Sequence, residues 1–345
     1  MTNSQFVRVL VVDDSAYVRK VVTQMLSRSP FIDVVGTARD GREALERVQE
    51  LKPDVVTCDL IMPELDGVGF VREQMVRRPV PIVIVSVASE SGELVLNALD
   101  AGAVDFIQKP TALASDRLLE MSDDLIGKVK AVASSRVRVA NLAPATPKQM
   151  DAPVARGAFD IVVIGISTGG PQALREVIPR LPADLPVPLL IVLHMPIGYT
   201  ELYAQKLNEL SPLSVCEAEE GLLLTRGMAV IAPAGRHLTI RRDGTGVRAH
   251  LDVKPLDAPY RPSVDVLFQS AADVYGSRVL GVVMTGMGSD GRGGAAWIKA
   301  KGGTVITESE DSCVVYGMPR SIEEAGLSDR SISLDGMADA ILGYL

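Results

Sequence analysis

Short apolar runs alternate with amphipathic segments along almost the whole chain, and that alternation restricts the fold more than any other feature. Between residue 7 and about residue 133 the runs are VRVLVV, DVVGTA, DVVTCD, PIVIVSV and DFIQK. The stretches between them, such as 16–27 and 41–51, place apolar residues every three or four positions. Strand-length runs separated by helix-length segments specify βα units, and these build a parallel sheet covered on both faces. A last helix is predicted over 116–133, with Leu118, Leu119, Leu125, Ile126, Val129 and Val132 on one side.

The pattern resumes at Phe159 with DIVVIG, PLLIVLH, GMAVIAP, RVLGVVMTG and GGTVITES. Helical segments at 172–180, 201–210, 264–275 and 294–301 fall between several of them. One polar stretch, RHLTIRRDGTGVRAHLDV, reads as an inserted β-hairpin turning at Asp243–Gly244. The seam SSRVRVANLAPATPKQMDAPVARGA is rich in Ala, Pro, Ser and Arg and has no lasting periodicity, so it reads as a linker. The expected layout is an α/β chain of two domains, 1–133 and 159–345, joined by a linker at 134–158.

The chain has 345 residues and a net charge of −8. Phosphate-backbone binding needs clustered Lys and Arg, so no nucleic-acid partner is expected. Three isolated cysteines and no CxxC suggest neither a zinc site nor a disulfide framework. No run approaches the roughly 20 apolar residues of a membrane span, and the N-terminal run is too short for a signal peptide. The expected location is cytoplasmic, without membrane insertion.

Several polar residues sit at the carboxyl ends of the strands in the first half. Asp13 and Asp14 follow the first strand, Asp59 the third, and Ser86 and Lys109 close the fourth and fifth. In an open parallel sheet those ends meet at one crevice. Three carboxylates there repel each other, and Mg²⁺ would offset that cost while accepting a phosphate oxygen. A carboxylate beside it can take a phosphoryl group. Lys109 would then neutralise the added charge and Ser86 would bond a phosphoryl oxygen. Helix capping is the plainer reading for any one Asp, but it does not account for the whole set.

VLVVDDSAYVRKVV, CDLIMPELDG and DFIQKP resemble the receiver domain of two-component response regulators over residues 7 to about 130. That resemblance implies a flavodoxin-like five-stranded fold and phosphorylation of Asp59 by a partner histidine kinase. It also implies Mg²⁺ held by Asp13, Asp14 and Asp59.

In the second half, DIVVIGISTGGPQAL is a strand, a glycine-rich turn and a helix start. A phosphate-binding turn needs G-x-G-x-x-G or a G-K-[ST] ending, and neither is present. The stretch 165–169 does match G-x-S-x-G, which places Ser167 on a sharp turn at a helix N-terminus. The competing readings are a tight turn with Ser167 as a cap, and a nucleotide site. A serine nucleophile needs a base, and of three histidines His194 ends an apolar strand and reaches the same edge. His237 opens the hairpin, and His250 lies in an alternating strand and reads as a solvent-face residue. Asp290, in the glycine-rich loop after RVLGVVMTG, can orient the His194 ring, and the Met287 N–H is a candidate oxyanion donor. The order Ser, His, Asp differs from that of α/β-hydrolases.

IGISTGGPQAL, HMPIGYTELYAQKLN, APAGRHL, RPSVDVLFQSAA, MTGMGSDGRGG and VVYGMPRSI together resemble the catalytic domain of the chemotaxis protein-glutamate methylesterase family over about 159–345. The resemblance implies a doubly wound α/β domain with a mostly parallel sheet and a hairpin. It implies hydrolysis of glutamate γ-methyl esters on methyl-accepting chemoreceptors, and in some members deamidation of receptor glutamines. Ser167, His194 and Asp290 match the family's triad, and Thr168 and Met287 its oxyanion positions. No cofactor is expected for the hydrolysis. Leu193 and Glu308 stand where Gln is expected, and SVAS follows the fourth strand where Ser- or Thr-rich runs are common. A receiver tethered to an esterase further implies that phosphorylation relieves a restraint on the esterase crevice. The rival reading is a non-catalytic regulator whose second half only binds a partner.

Overall fold

The computed structural model describes residues 6–87, 92–109, 115–133 and 158–345, and the chain divides into two compact units. The expected linker, 134–158, lies outside the described residues except for Ala158, as do Ala88 and Ser89 of the SVAS run. No helix among the described residues is long and apolar enough to cross a membrane.

The first unit alternates β1 (Val7–Val12), α1 (Ala16–Leu26), β2 (Ile32–Ala38), α2 (Gly41–Leu51), β3 (Val55–Cys58), α3 (Gly67–Arg77), β4 (Ile82–Val87), α4 (Gly92–Ala101), β5 (Asp105–Lys109) and α5 (Ser115–Ala133). Its five strands are parallel in the order β2-β1-β3-β4-β5. The apolar runs form strands because both faces are covered: Val9, Leu10, Val55, Val56, Ile82 and Ile84 are almost wholly buried. Helix starts are capped locally, with Asp40 accepting from the Glu43 N–H at 2.9 Å and Asp66 from the Gly69 N–H at 2.6 Å.

The second unit runs β6 (Ile161–Ile166), α6 (Gly170–Val177), β7 (Leu189–Leu193), α7 (Thr200–Leu210), β8 (Ser214–Glu217), β9 (Met228–Ile231), β10 (His237–Asp243), β11 (Gly246–Asp252), α8 (Val264–Tyr275), β12 (Val279–Val283), α9 (Arg292–Ala300), β13 (Thr304–Glu308), α10 (Met318–Glu323), β14 (Arg330–Ile332) and α11 (Leu334–Tyr344). Seven strands form one parallel sheet in the order β14-β13-β12-β6-β7-β9-β8. From β6 the chain builds outward through β7, then returns to lay β12 on the other side. The switch point therefore lies between β6 and β12, where an open α/β sheet leaves its binding crevice.

The hairpin β10–β11 is antiparallel, and its apolar side, with Leu238, Ile240 and Ala249, joins a core that includes Phe268 of α8. Its turn falls one residue later than expected. Asp243 pairs with Gly246, because the Asp243 carboxylate accepts from the N–H groups of Thr245 (2.7 Å) and Gly246 (3.0 Å). β8, β14, α10 and α11 lie in stretches for which the sequence reading predicts no element.

Candidate active site

Ser167 immediately follows β6, and its N–H donates to the Thr285 carbonyl just past β12 at 3.0 Å. This bond ties the serine to the far side of the switch point. The turn that presents it requires glycine at two places. Gly169 has φ +79°, and a Cβ there would come within 2.6 Å of Val314. A Cβ on Gly286 would stand 2.8 Å from that of Ser167. Thr285 braces the turn a second time, its hydroxyl donating to the Thr168 carbonyl at 2.9 Å. Ser167 is half-buried and Thr168 buried.

His194 follows β7, the neighbour of β6, where Ile166 is in register with Leu193. Its own N–H donates to the Ile166 carbonyl at 3.2 Å, so Ser167 and His194 leave adjacent strands at the same level. The His194 Nε2 lies 2.9 Å from the Asp290 Oδ2. A carboxylate only accepts, so Nε2 carries the ring proton and Nδ1 keeps the lone pair. Nδ1 is buried and has no hydrogen-bond partner among the described residues. The ring is held from one face by Tyr260, stacked at 4.4 Å between centroids with planes 15° apart.

Asp290 is buried and fixed by more than His194. Its Oδ1 accepts from the Ser263 hydroxyl (2.9 Å) and the Asp265 N–H (3.0 Å), and its Oδ2 from the Val264 N–H (2.8 Å). These donors open α8, so the carboxylate sits at a helix N-terminus. Burial raises the Asp290 pKa, but the His194 ring and the backbone donors outweigh it and hold the group below its ordinary value.

Met287 lies in the loop between β12 and α9, half-buried. The preceding Gly286 is pinned, donating to the Val315 carbonyl and accepting from the N–H groups of Gly317 and Met318. Glu308, at the end of β13, is fully buried, accepting from the Thr285 N–H (2.9 Å) and the Ser312 hydroxyl (3.1 Å). Desolvation pushes its pKa up to about 7. His250 lies on the outer side of the hairpin as expected, but its Nδ1 is paired with Glu220 at 2.8 Å.

Tyr260, Ser263, Asp265, Thr285 and Glu308 support the site without having been singled out for that role by sequence. The only local signal among them is Ser-x-Asp at 263–265, which opens a helix.

In the first unit, carboxylate oxygens of Asp13, Asp14 and Asp59 lie within 4.8 Å of one another. Asp13 and Asp59 are buried and Asp14 is exposed. The Lys109 ammonium sits 2.6 Å from Asp13 and 2.7 Å from Asp59. Burial depresses the Lys109 pKa, but the two carboxylates more than reverse that. Burial raises the Asp13 carboxyl, a rise that Lys109 only partly offsets. One ammonium against three carboxylates leaves excess negative charge among hard oxygens, which fits a divalent cation. Ser86 is buried at the end of β4, where its register partner is Gln108, the neighbour of Lys109.

Residues 162–341 match the CheB methylesterase family, and residues 9–122 match the response regulator receiver domain family. A protein-glutamate methylesterase/protein-glutamine glutaminase of Myxococcus xanthus is 51% identical over 98% of this chain and 97% of its own length. One from Symbiobacterium thermophilum is 47% identical over 97% of this chain and 96% of its own. The solved CheB methylesterase catalytic domain of Thermotoga maritima matches with a TM-score of 0.53 and 40% identity, covering 54% of this chain and 99% of that one.

Proposed function

The chain belongs to the CheB methylesterase family and carries a receiver domain ahead of its methylesterase domain, and from that premise we propose how its residues share the work. The protein is a phosphorylation-regulated hydrolase that removes γ-methyl groups from glutamates of methyl-accepting chemoreceptors, and it also acts as a protein-glutamine glutaminase. The observation that carries the residue assignment is the His194 ring, with one nitrogen bonded to Asp290 and the other buried without a hydrogen-bond partner among the described residues.

Ser167 is the nucleophile. His194 Nδ1 takes its proton as Oγ bonds to the ester carbonyl carbon. The C–O bond to methanol then breaks, and His194 returns the proton to the leaving oxygen. Water, deprotonated by the same nitrogen, cleaves the acyl-serine and regenerates the hydroxyl. Asp290 holds the ring tautomer and stabilises the imidazolium. The turn at Thr168 and the loop at Met287 flank the carbonyl oxygen, and their N–H groups serve as oxyanion donors. A glutamine side chain follows the same route with ammonia leaving. The hydrolysis itself uses no metal.

In the receiver, Asp13, Asp14 and Asp59 would hold Mg²⁺, which shields the phosphoryl charge when bound. An Asp59 oxygen attacks phosphorus as the bond to the kinase's histidine breaks. Lys109 pairs with the added charge, and Ser86 donates to a phosphoryl oxygen. In this reading the protein works in the cytoplasm, where it would meet the receptor glutamates and the kinase. A binding-only second half finds no support in the relatives' activities.

Methanol release from methylated receptor membranes tests this reading. Ser167→Ala should lower the rate by at least about 10³-fold. A near-normal rate in that variant would overturn the assignment.

A further inference from the structure

His237 opens β10 and is fully buried, yet both its ring nitrogens are used. The Ser263 N–H points at Nδ1, 3.2 Å away. Nδ1 therefore accepts, and the ring's single proton lies on Nε2, which donates to the Pro255 carbonyl at 3.1 Å. The imidazole is neutral in one tautomer, and burial favours that state by lowering its pKa.

Each bond leads to a different partner of the His194–Asp290 pair. Ser263 donates its hydroxyl to Asp290, and it precedes the two N–H groups that also hold that carboxylate. Pro255 belongs to the connection after β11 that carries Tyr260, whose ring stacks on His194. That connection has further ties, the Arg261 guanidinium to the Leu256 carbonyl at 3.3 Å and the Gly235 N–H to the Arg261 carbonyl at 3.0 Å. On the Asp290 side, Asp265 ties the same stretch to Gly291 and Gly294, but the Ser263 N–H, at the residue whose hydroxyl reaches Asp290, is held by His237.

We propose that His237 is a positioning residue for ester hydrolysis, fixing Asp290 through Ser263 and, more weakly, His194 through the Pro255–Tyr260 connection. The inference rests on the assignment of Ser167, His194 and Asp290 given above. His237 is fully buried and so out of reach of a substrate, and its influence falls on kcat rather than on KM.

The two bonds separate by substitution. In His237→Asn the side-chain oxygen falls near the place of Nδ1 and keeps an acceptor for Ser263. In His237→Gln the amide nitrogen falls near Nε2 and keeps the donor to Pro255. Both variants lose one buried hydrogen bond, so their melting temperatures should fall by similar amounts. Their rates should differ. With full-length protein, Mg²⁺, a small-molecule phosphodonor and methylated receptor membranes, His237→Gln should lower kcat about tenfold, with KM within about twofold. His237→Asn should stay within about threefold of wild type. Equal kcat losses, wild-type rates in both, or the reverse order would each overturn the proposal. Ser167→Ala run alongside keeps the two levels apart. Activity in that variant removes the underlying site, whereas an inactive Ser167→Ala with indistinguishable Asn and Gln variants removes only the role of His237.

Discussion

Asp265 and Asp290 hold the starts of each other's helices. Asp290, just ahead of α9, accepts from the N–H groups of Val264 and Asp265 at the start of α8. Asp265 returns the arrangement, accepting from the N–H groups of Gly291 (2.9 Å) and Gly294 (2.7 Å) at the start of α9. Two helix N-termini that would leave orphan donors are thereby satisfied, and the carboxylate that orients His194 is locked between them. Burial raises the Asp265 pKa, only partly offset by these donors.

Asp265→Ala should therefore affect stability and catalysis together. Loss of a capping carboxylate costs about 1–2 kcal/mol, and freeing Gly291 loosens its neighbour Asp290. The single tryptophan, Trp297, lies in α9 and reports melting of this unit by fluorescence. The expected outcome is a lower Tm and a kcat reduced about tenfold, with Asp265→Asn, which keeps an acceptor oxygen, close to wild type. An alanine variant matching wild type in both readouts would show that the reciprocal clamp does not matter.

Glu308 gives a pH signature. The group ionises at 4.5 in a solvated chain and at about 7 in the fold. Below 4.5 it is protonated in both states and affects stability equally. As pH rises, the unfolded chain releases the proton while the folded chain keeps it, so stability falls until pH passes about 7 and then levels off. The total is on the order of 3 kcal/mol. The groups facing Glu308 are Thr285, Ser312 and Cys313, with Glu176 adding repulsion. Glu308→Gln has no proton to lose, and whatever its amide costs against the Thr285 N–H is constant with pH. Its Tm relative to wild type should climb between about pH 5 and about pH 7 and then plateau. A difference that stays flat across that range would refute the account.

The sequence made the central strands legible and the periphery illegible, for physical reasons. Strands β6, β7 and β12 are buried on both faces and read as unbroken apolar runs, which put Ser167, His194 and Asp290 at one edge from the sequence alone. The edge strands β8 and β14 are short, and residues such as Ser214 and Ser331 face solvent, so no apolar run marks them. The supports of the site were hidden for another reason. His237 and Ser263 are 26 positions apart, and Glu308 and Thr285 are 23 apart. Such pairings follow from topology, and local periodicity carries no trace of them.

Phosphorylation should depend on Asp59 and on a divalent cation. Asp59→Asn removes the attacking oxygen anion and one of three carboxylates around the cation site. A small-molecule phosphodonor should then no longer raise methanol release, and no acid-labile phosphate should appear on the protein. A chelator should abolish the same rise in the wild type while leaving the Ser167-dependent rate without phosphodonor in place. A phosphodonor response that survives either treatment would place the phosphoryl group elsewhere.

Asp290→Asn tests the tautomer argument most directly. Asparagine keeps the size of the side chain and can still accept from Ser263 and Asp265 with its oxygen. Its amide nitrogen then takes the place of Oδ2: the Val264 N–H loses its acceptor, and His194 Nε2 must itself become an acceptor, so the ring proton moves to Nδ1. The lone pair that should take the Ser167 proton is lost although the side chain keeps its size. By analogy with the corresponding substitution in serine proteases, kcat should fall by about 10³–10⁴-fold. Nitrogen-15 shifts of the His194 ring should report protonated Nε2 in the wild type and protonated Nδ1 in the variant. A large rate loss with an unchanged ring tautomer would mean that Asp290 acts by its charge alone and that the orientation argument is wrong.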